Sequence, residues 1–158
     1  MIRGRFSAAA LVSSMALIGG FEGYRQAAYS DPVGVSTVCF GSTNFESNQQ
    51  RPEQCAALLA RDVLKASRVL ECFTVALDEA QQTAVVSWAY NVGVGAACSS
   101  TLVRRANAGE PAEAWCAELE RWNKGRILGV KQVLPGLVRR REYERAVCEG
   151  SAPWQALI

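Results

Sequence analysis

From Phe6 to Phe21 the chain reads FSAAALVSSMALIGGF, sixteen residues without a charge, and the next residue is Glu22. Arg3 and Arg5 precede the run. A basic start followed by an apolar stretch is how an export signal begins. The stretch is short against the roughly 20 residues of a stable membrane span, and it is rich in Ala, Ser and Gly. Three fates fit it: a cleaved signal peptide, a weak membrane anchor, or a core helix of the folded domain. Cleavage near Gly19 or Gly20 would remove the helix that leads into Glu22. A soluble amphipathic helix would carry charge on its outer face, and here that face offers only Ser13, Ser14, Gly19 and Gly20.

The rest of the chain limits the chemistry. Its 158 residues favour one domain of one or two lobes, and 49% hydrophobic against 20% charged residues is the composition of a packed globule. The formal net charge of +2 gives no argument for nucleic-acid binding, and none is expected. There is no histidine, which excludes Ser-His and Cys-His catalysis and any His-ligated metal. Acid–base chemistry then falls to carboxylates, Lys, Tyr or Cys. The cysteines are Cys39, Cys55, Cys72, Cys98, Cys116 and Cys148. None stands in a C-x-x-C pair, so neither a metal nor another cofactor is expected. An even, scattered set suits disulfides in an oxidising compartment, with buried free thiols as the alternative. Cys72 and Cys98 bracket the segment Asp78 to Gly93 and are the first pair to expect; six cysteines allow 15 full pairings.

Tyr29 to Phe40, YSDPVGVSTVCF, reads as a turn at Asp31-Pro32 and Gly34 followed by a strand, and is the only clear β signal. The remainder reads helical. Pro52 starts a helix with Cys55, Leu59, Val63, Ala66 and Leu70 on one face. Asp78 and Gln81 form a capping box before Ala84, Val85, Trp88 and Val92, with Gly93 as the stop. Ser99 or Ser100 caps a short helix, Pro111 opens one carrying Trp115, Cys116, Leu119 and Trp122, and a last helix runs from about Gly136 to Cys148. Gly125, Gly129 and Pro135 mark an irregular stretch between them. The architecture expected is α+β and mainly α. Residues 1–21 form the apolar segment and 22–158 the domain proper, with a small β-containing lobe at about 22–50 and a helical lobe at about 51–158. The cleft between two such lobes is a natural ligand site.

Glu22 falls at the C-terminal end of the apolar helix, where the helix dipole and apolar neighbours such as Phe21 disfavour an anion, as suits a general acid. Asp31 lies in a polar turn that suits an ionised carboxylate. Two carboxylates in unlike surroundings are the equipment for cleaving a glycosidic bond. The bland alternative is a pair of solvated surface acids.

The wider pattern is more specific. FEGYRQAAYSDPVGVSTVCFGST, with Glu22, Asp31 and Thr37 in register, closely resembles the catalytic segment of phage-type lysozymes, above all the endolysins of lambdoid phages. WAYNVGVGAACSSTLVRRANAGE, AWCAELERW and PGLVRRREYERAVCEG resemble later segments of that family in the same order, so the likeness covers about residues 16–150. It implies a lysozyme-like two-lobe fold and a muramidase that hydrolyses the β-1,4 N-acetylmuramic acid–N-acetylglucosamine linkage of peptidoglycan, lysing the host cell. Glu22 is then the acid, and Asp31 and Thr37 hold a water on the opposite face of the sugar, an inverting arrangement. Tyr90 and Thr101 fall where the family lines its cleft. Some of these endolysins carry a signal-anchor-release N-terminus. That implies transient inner-membrane association and a periplasmic site of action; a cytoplasmic enzyme released through a separate pore is the rival. A monomer is expected. Where many members read Gly-His-Thr after the strand, this chain reads Gly41-Ser42-Thr43, so a polar link between the lobes is lost or replaced. Arg139, Arg140 and Arg141 read as a solvated helix face, with attraction to the anionic wall polymer, together with Arg121, Lys124, Arg126 and Lys131, as the alternative; Trp88, Trp115 and Trp122 read as core rather than as sugar-stacking platforms. Against the hydrolase stand a lytic transglycosylase, which does not need Asp31 and Thr37, and a non-catalytic wall-binding protein on the same fold.

Overall fold

In the computed structural model, which describes residues 6–31 and 34–153, the uncharged run is a helix, α1 (Ala8–Glu22). Ser7 caps it by accepting from the Ala10 N–H at 2.9 Å. Arg3, Arg5 and Pro32 lie outside the described residues. The buried residues of α1 are Ala10, Ser13, Ser14, Leu17 and Ile18, a stripe of helical period. That stripe packs against α3 (Glu79–Val92) and α2 (Pro52–Ala66).

Helix α3 is the centre of the molecule. Residues 82–89 are all buried, so the helix is covered on every side. Small residues such as Ala84, Ser87 and Ala89 let its neighbours approach, and Trp88 fills the space between them, edge-to-face with Trp122 at 5.3 Å. Asp78 and Gln81 cap it reciprocally, and Gly93, at φ 90°, ends it. Helices α4 (Val94–Cys98) and α7 (Pro135–Cys148) pack on it, and α5 (Thr101–Asn107, capped by Ser100) and α6 (Ala112–Cys116) pack on each other and join α4 to α7. In α2, Cys55, Leu59, Val63 and Ala66 are buried as their spacing predicts. The expected continuation to Leu70 is a 3-10 turn, Ser67–Cys72.

The small lobe is a two-stranded antiparallel ladder of β1 (Arg25–Ser30) and β2 (Ser36–Cys39), in which Arg25 faces Cys39, Tyr29 faces Thr37 and Ser30 faces Ser36. The fold is thus α+β and mainly α, as expected. The stretch around Gly125 and Gly129 is not irregular, however. It is a second antiparallel hairpin, β3 (Lys124–Ile127) and β4 (Val130–Val133), turning at Leu128-Gly129.

All six cysteines are paired: Cys39–Cys55, Cys72–Cys98 and Cys116–Cys148. The pair expected first is among them. The bridges tie β2 to α2, the 3-10 turn to α4, and α6 to α7.

Candidate active site

Helix α1 delivers Glu22 as its last residue, and Gly23, at φ 70°, turns the chain away into β1. The Glu22 side chain keeps 23% of its exposure. Its Oε1 accepts from Arg140 Nη1 at 2.6 Å. Its Oε2 faces Gly41, where a Cβ would stand 3.4 Å from it and 3.9 Å from the Tyr90 hydroxyl. With φ 88°, Gly41 needs to be glycine for its backbone. Phe21 is beside Glu22 as the sequence led us to expect, but its ring is covered by the Arg140 guanidinium at 4.8 Å. An ion pair with Arg140 therefore stands beside the acid together with the apolar neighbour that was expected.

Arg140 belongs to a buried network. Glu144, with no exposed surface, accepts from Ser87 Oγ at 2.7 Å and from Arg140 Nε at 3.0 Å, and it also pairs with Arg141. Arg140 Nη2 donates to the Ser87 carbonyl at 3.2 Å; Arg141 Nε donates to the Trp122 carbonyl at 3.0 Å, and Arg141 reaches Asn91 as well. Two arginines and two glutamates balance in charge, and nearly every polar atom of the group has a partner. Burial works against the charge of Arg140, but Glu144 and Glu22 outweigh it and hold the guanidinium above its ordinary range. The expected solvated face is thus corrected: of the three arginines only Arg139 is exposed. Their signal was present in the spacing, since Arg140, Glu144 and Val147 form a helical stripe that ends in core.

The ladder sets the other two candidates. Thr37 is buried on β2, and its Oγ1 donates to the Val35 carbonyl at 3.0 Å, which leaves lone pairs able to accept from a donor such as water. Asp31 closes the turn between the strands: its Oδ1 accepts from the Val35 N–H at 2.8 Å, and its own N–H donates to the Val35 carbonyl at 2.9 Å. Tyr29 faces Thr37 across the ladder, and Asp31 follows directly after the end of β1 in the turn that leads to β2, so both Asp31 and Thr37 stand at the turn end of the ladder. Glu22 leads into the other end of the same ladder, where Arg25 faces Cys39.

Tyr90 lines a cavity of about 330 Å³ with Gly41, Thr43, Asp62 and Lys65. Its hydroxyl donates to the Phe40 carbonyl at 2.9 Å, which pins the small lobe to α3. Burial first, then the Glu22 and Asp62 carboxylates, push the phenol well above its usual range, so it stays neutral. Thr101 is elsewhere: it opens α5, accepts from Arg104 at 2.8 Å and does not line that cavity. The position of the family histidine is filled in kind, because Ser42 donates to Asp62 of α2 at 2.7 Å. Burial raises the Asp62 carboxyl, but hydrogen bonds from Arg61 and Ser42 and the charges of Arg61 and Lys65 bring it below the ordinary range. Among the described residues no cluster of acids or cysteines is placed to hold a metal ion.

Comparison with known proteins gives a consistent result. The family model for phage lysozyme matches residues 19–144. The SAR-endolysin of Pseudomonas phage phiKMV is 38% identical over 154 residues, which is 95% of each chain. The endolysin from Escherichia coli O157:H7 phage FAHEc1 superposes with a TM-score of 0.80 at 28% identity, covering 94% of this chain and 95% of its own. The muramidase domain of SpmX from Asticaccaulis excentricus gives 0.77 at 29%, covering 91% and 97%.

Proposed function

The chain belongs to the phage lysozyme family and is a muramidase endolysin, a glycoside hydrolase of bacterial peptidoglycan, and from that premise we propose that Glu22, Asp31 and Thr37 carry out the hydrolysis by inversion. Glu22 gives its proton to the leaving glycosidic oxygen. Because Arg140 occupies Oε1, the proton is delivered from Oε2, which faces Gly41. Asp31 and Thr37 hold a water on the other face of the sugar, and Asp31 takes its proton as the water attacks the anomeric carbon. The observation that carries this reading is the placement of Glu22 at the root, and Asp31 and Thr37 at the turn end, of one short ladder. Tyr90 lines the sugar site beside them. Its high pKa keeps a hydroxyl rather than a phenolate next to the acid.

The N-terminal run acts first as an uncleaved export signal and then as α1 of the folded enzyme, active in the periplasm. No helix among the described residues is long and apolar enough to cross a membrane. The burial of α1 supports a history in lipid: Ser13 and Ser14 are buried beside Leu17 and Ile18 while Val12 is exposed, so polar and apolar side chains are not sorted to opposite faces as in a helix patterned for water alone. On leaving the bilayer, Ser13 gains Glu79 as an acceptor at 3.2 Å, and Leu17 and Ile18 gain full burial. Only then does Glu22 meet Arg140 and the ladder.

Glu22→Gln tests the assignment. The folded variant should clear permeabilised bacteria about 10²–10⁴-fold more slowly than the parent. Clearing at the parental rate by a Glu22→Gln protein with unchanged circular dichroism would remove Glu22 from the reaction.

A further inference from the structure

The β3–β4 hairpin plays no part in the site above, and it carries four of the eight large hydrophobic residues that are exposed among the described residues. Every residue of β4 is exposed. Ile127, Val130 and Val133 are about half exposed, and Leu128, at the tip, is 98% exposed. The turn runs through Leu128 at φ 48° and Gly129 at φ 80°. Two consecutive positive φ values make a two-residue hairpin turn whose first position favours Asn or Asp. A leucine there is strained by its Cβ and leaves its whole side chain in water. Folding alone would select against it twice, which points to something that takes up the side chain.

The faces of the hairpin say what that is. Cross-strand partners share a face, so Ile127 with Val130 forms the apolar rung next to the tip, and Arg126 with Lys131 forms the following rung on the opposite face. Lys124 lies on the same side as Arg126 and Lys131. No acid occurs between Lys124 and Arg141 in the sequence, and among the described residues no carboxylate pairs with Lys124, Arg126 or Lys131. Lys124 and Lys131 open with Arg121 and Trp122 onto a cavity of about 620 Å³. Its acid, Glu120, is already paired with Arg145 at 3.0 Å, and Arg121 with Glu118 at 3.1 Å. Arg126 also donates to the Gly129 carbonyl at 3.3 Å, which satisfies a polar group of the tip that lipid would otherwise leave bare.

We propose that the β3–β4 hairpin docks the enzyme on an anionic phospholipid surface, with Ile127, Leu128 and Val130 inserted and Lys124, Arg126 and Lys131 on the headgroup phosphates. The apolar rung and tip together are two residues deep, roughly 7 Å, the depth to which interfacial segments bury their apolar side. A glycan would call for aromatic platforms and hydrogen-bonding groups at the tip, where this hairpin has aliphatic side chains. The attachment is separate from α1 and operates after α1 has entered the fold, keeping the enzyme at the membrane side of the wall. It does not depend on which residues perform catalysis.

The test compares the full chain with Leu128→Asn and with Lys131→Glu, by cosedimentation with vesicles of phosphatidylglycerol and phosphatidylethanolamine and with vesicles of phosphatidylcholine. The parent should bind the anionic vesicles, release as salt is raised, and bind phosphatidylcholine weakly. Each variant should bind the anionic vesicles about tenfold more weakly. Leu128→Asn should melt no lower than the parent, since Asn suits the turn, so its loss of binding is not a loss of fold. Both should digest isolated sacculi at the parental rate, which separates this inference from the catalytic assignment. Equal binding of parent and variants to anionic vesicles would overturn the proposal. So would binding to sacculi, or self-association in sedimentation velocity, that Leu128→Asn abolishes while vesicle binding is unaffected.

Discussion

Glu144→Gln is the sharpest probe of the buried charges behind the acid. The carboxylate has no exposed surface and is the shared partner of Arg140 and Arg141. Neutralising it leaves two guanidinium groups against Glu22 alone, one buried positive charge in excess. Removing one partner of a buried pair costs about 3–5 kcal/mol. Glutamine keeps the volume and can still accept from Ser87 or one arginine, which places the loss near the lower end, at about 3 kcal/mol. For a domain of this size each kcal/mol is worth about 2–4 °C, so melting should fall by roughly 6–12 °C. The assay is thermal unfolding followed by far-ultraviolet circular dichroism with the disulfides intact. Combining Glu144→Leu with Arg141→Met removes a positive and a negative charge together and leaves the Arg140–Glu22 pair, so most of the loss should be recovered. A Glu144→Gln protein that melts within about 2 °C of the parent would refute the reasoning.

Other consequences can be checked with similar means. Replacing Cys72 and Cys98 by alanine opens a loop of 26 residues and should destabilise by about 3.5 kcal/mol on chain-entropy grounds, measured by urea unfolding. Ser42→Ala removes a hydrogen bond to the ionised Asp62 and should cost about 1.5 kcal/mol at neutral pH. Because the folded carboxyl lies below its ordinary range, that difference in stability is fully present above the unfolded pKa and closes as pH falls through the folded one; a difference unchanged in acid would show that Asp62 is not its source. Replacing Ser13, Ser14 and Gly19 by leucine should hold the chain in the inner membrane without lytic activity. Recovery of that variant in the soluble fraction, with the parent in the cytoplasm, would reduce α1 to a core helix.

What the sequence made legible was local. The start of α2 at Pro52, the capping box of α3 and its end at Gly93 are each decided by a few neighbouring residues, and they stand where the spacing put them. Strand β2 was readable from the turn at Asp31 and the β-branched run after it, whereas β1, Arg25–Ser30, carries no β-branched residue to mark it as the partner strand. The second hairpin was hidden because its turn carries leucine where asparagine would announce it, and because strands exposed on both faces show little alternation. Arg140 and Arg141 were misread for a different reason: charge implies surface by default, and the partner that makes burial of Arg140 tolerable, Glu22, is 118 residues away in the chain. Among the disulfides, Cys72–Cys98 brackets one recognisable segment, whereas the other two join elements whose proximity is set by topology alone.

The roles given to Glu22, Asp31 and Thr37 meet their most direct test in the configuration of the new reducing end. A water held by Asp31 and Thr37, attacking the face opposite the proton from Glu22, converts a β-linkage into an α-anomer. Proton nuclear magnetic resonance of a soluble peptidoglycan oligomer, recorded before mutarotation, should therefore show the α-anomeric signal growing first. A first-formed β-anomer, or a product lacking a reducing end because it has closed to an anhydro sugar, would contradict the account.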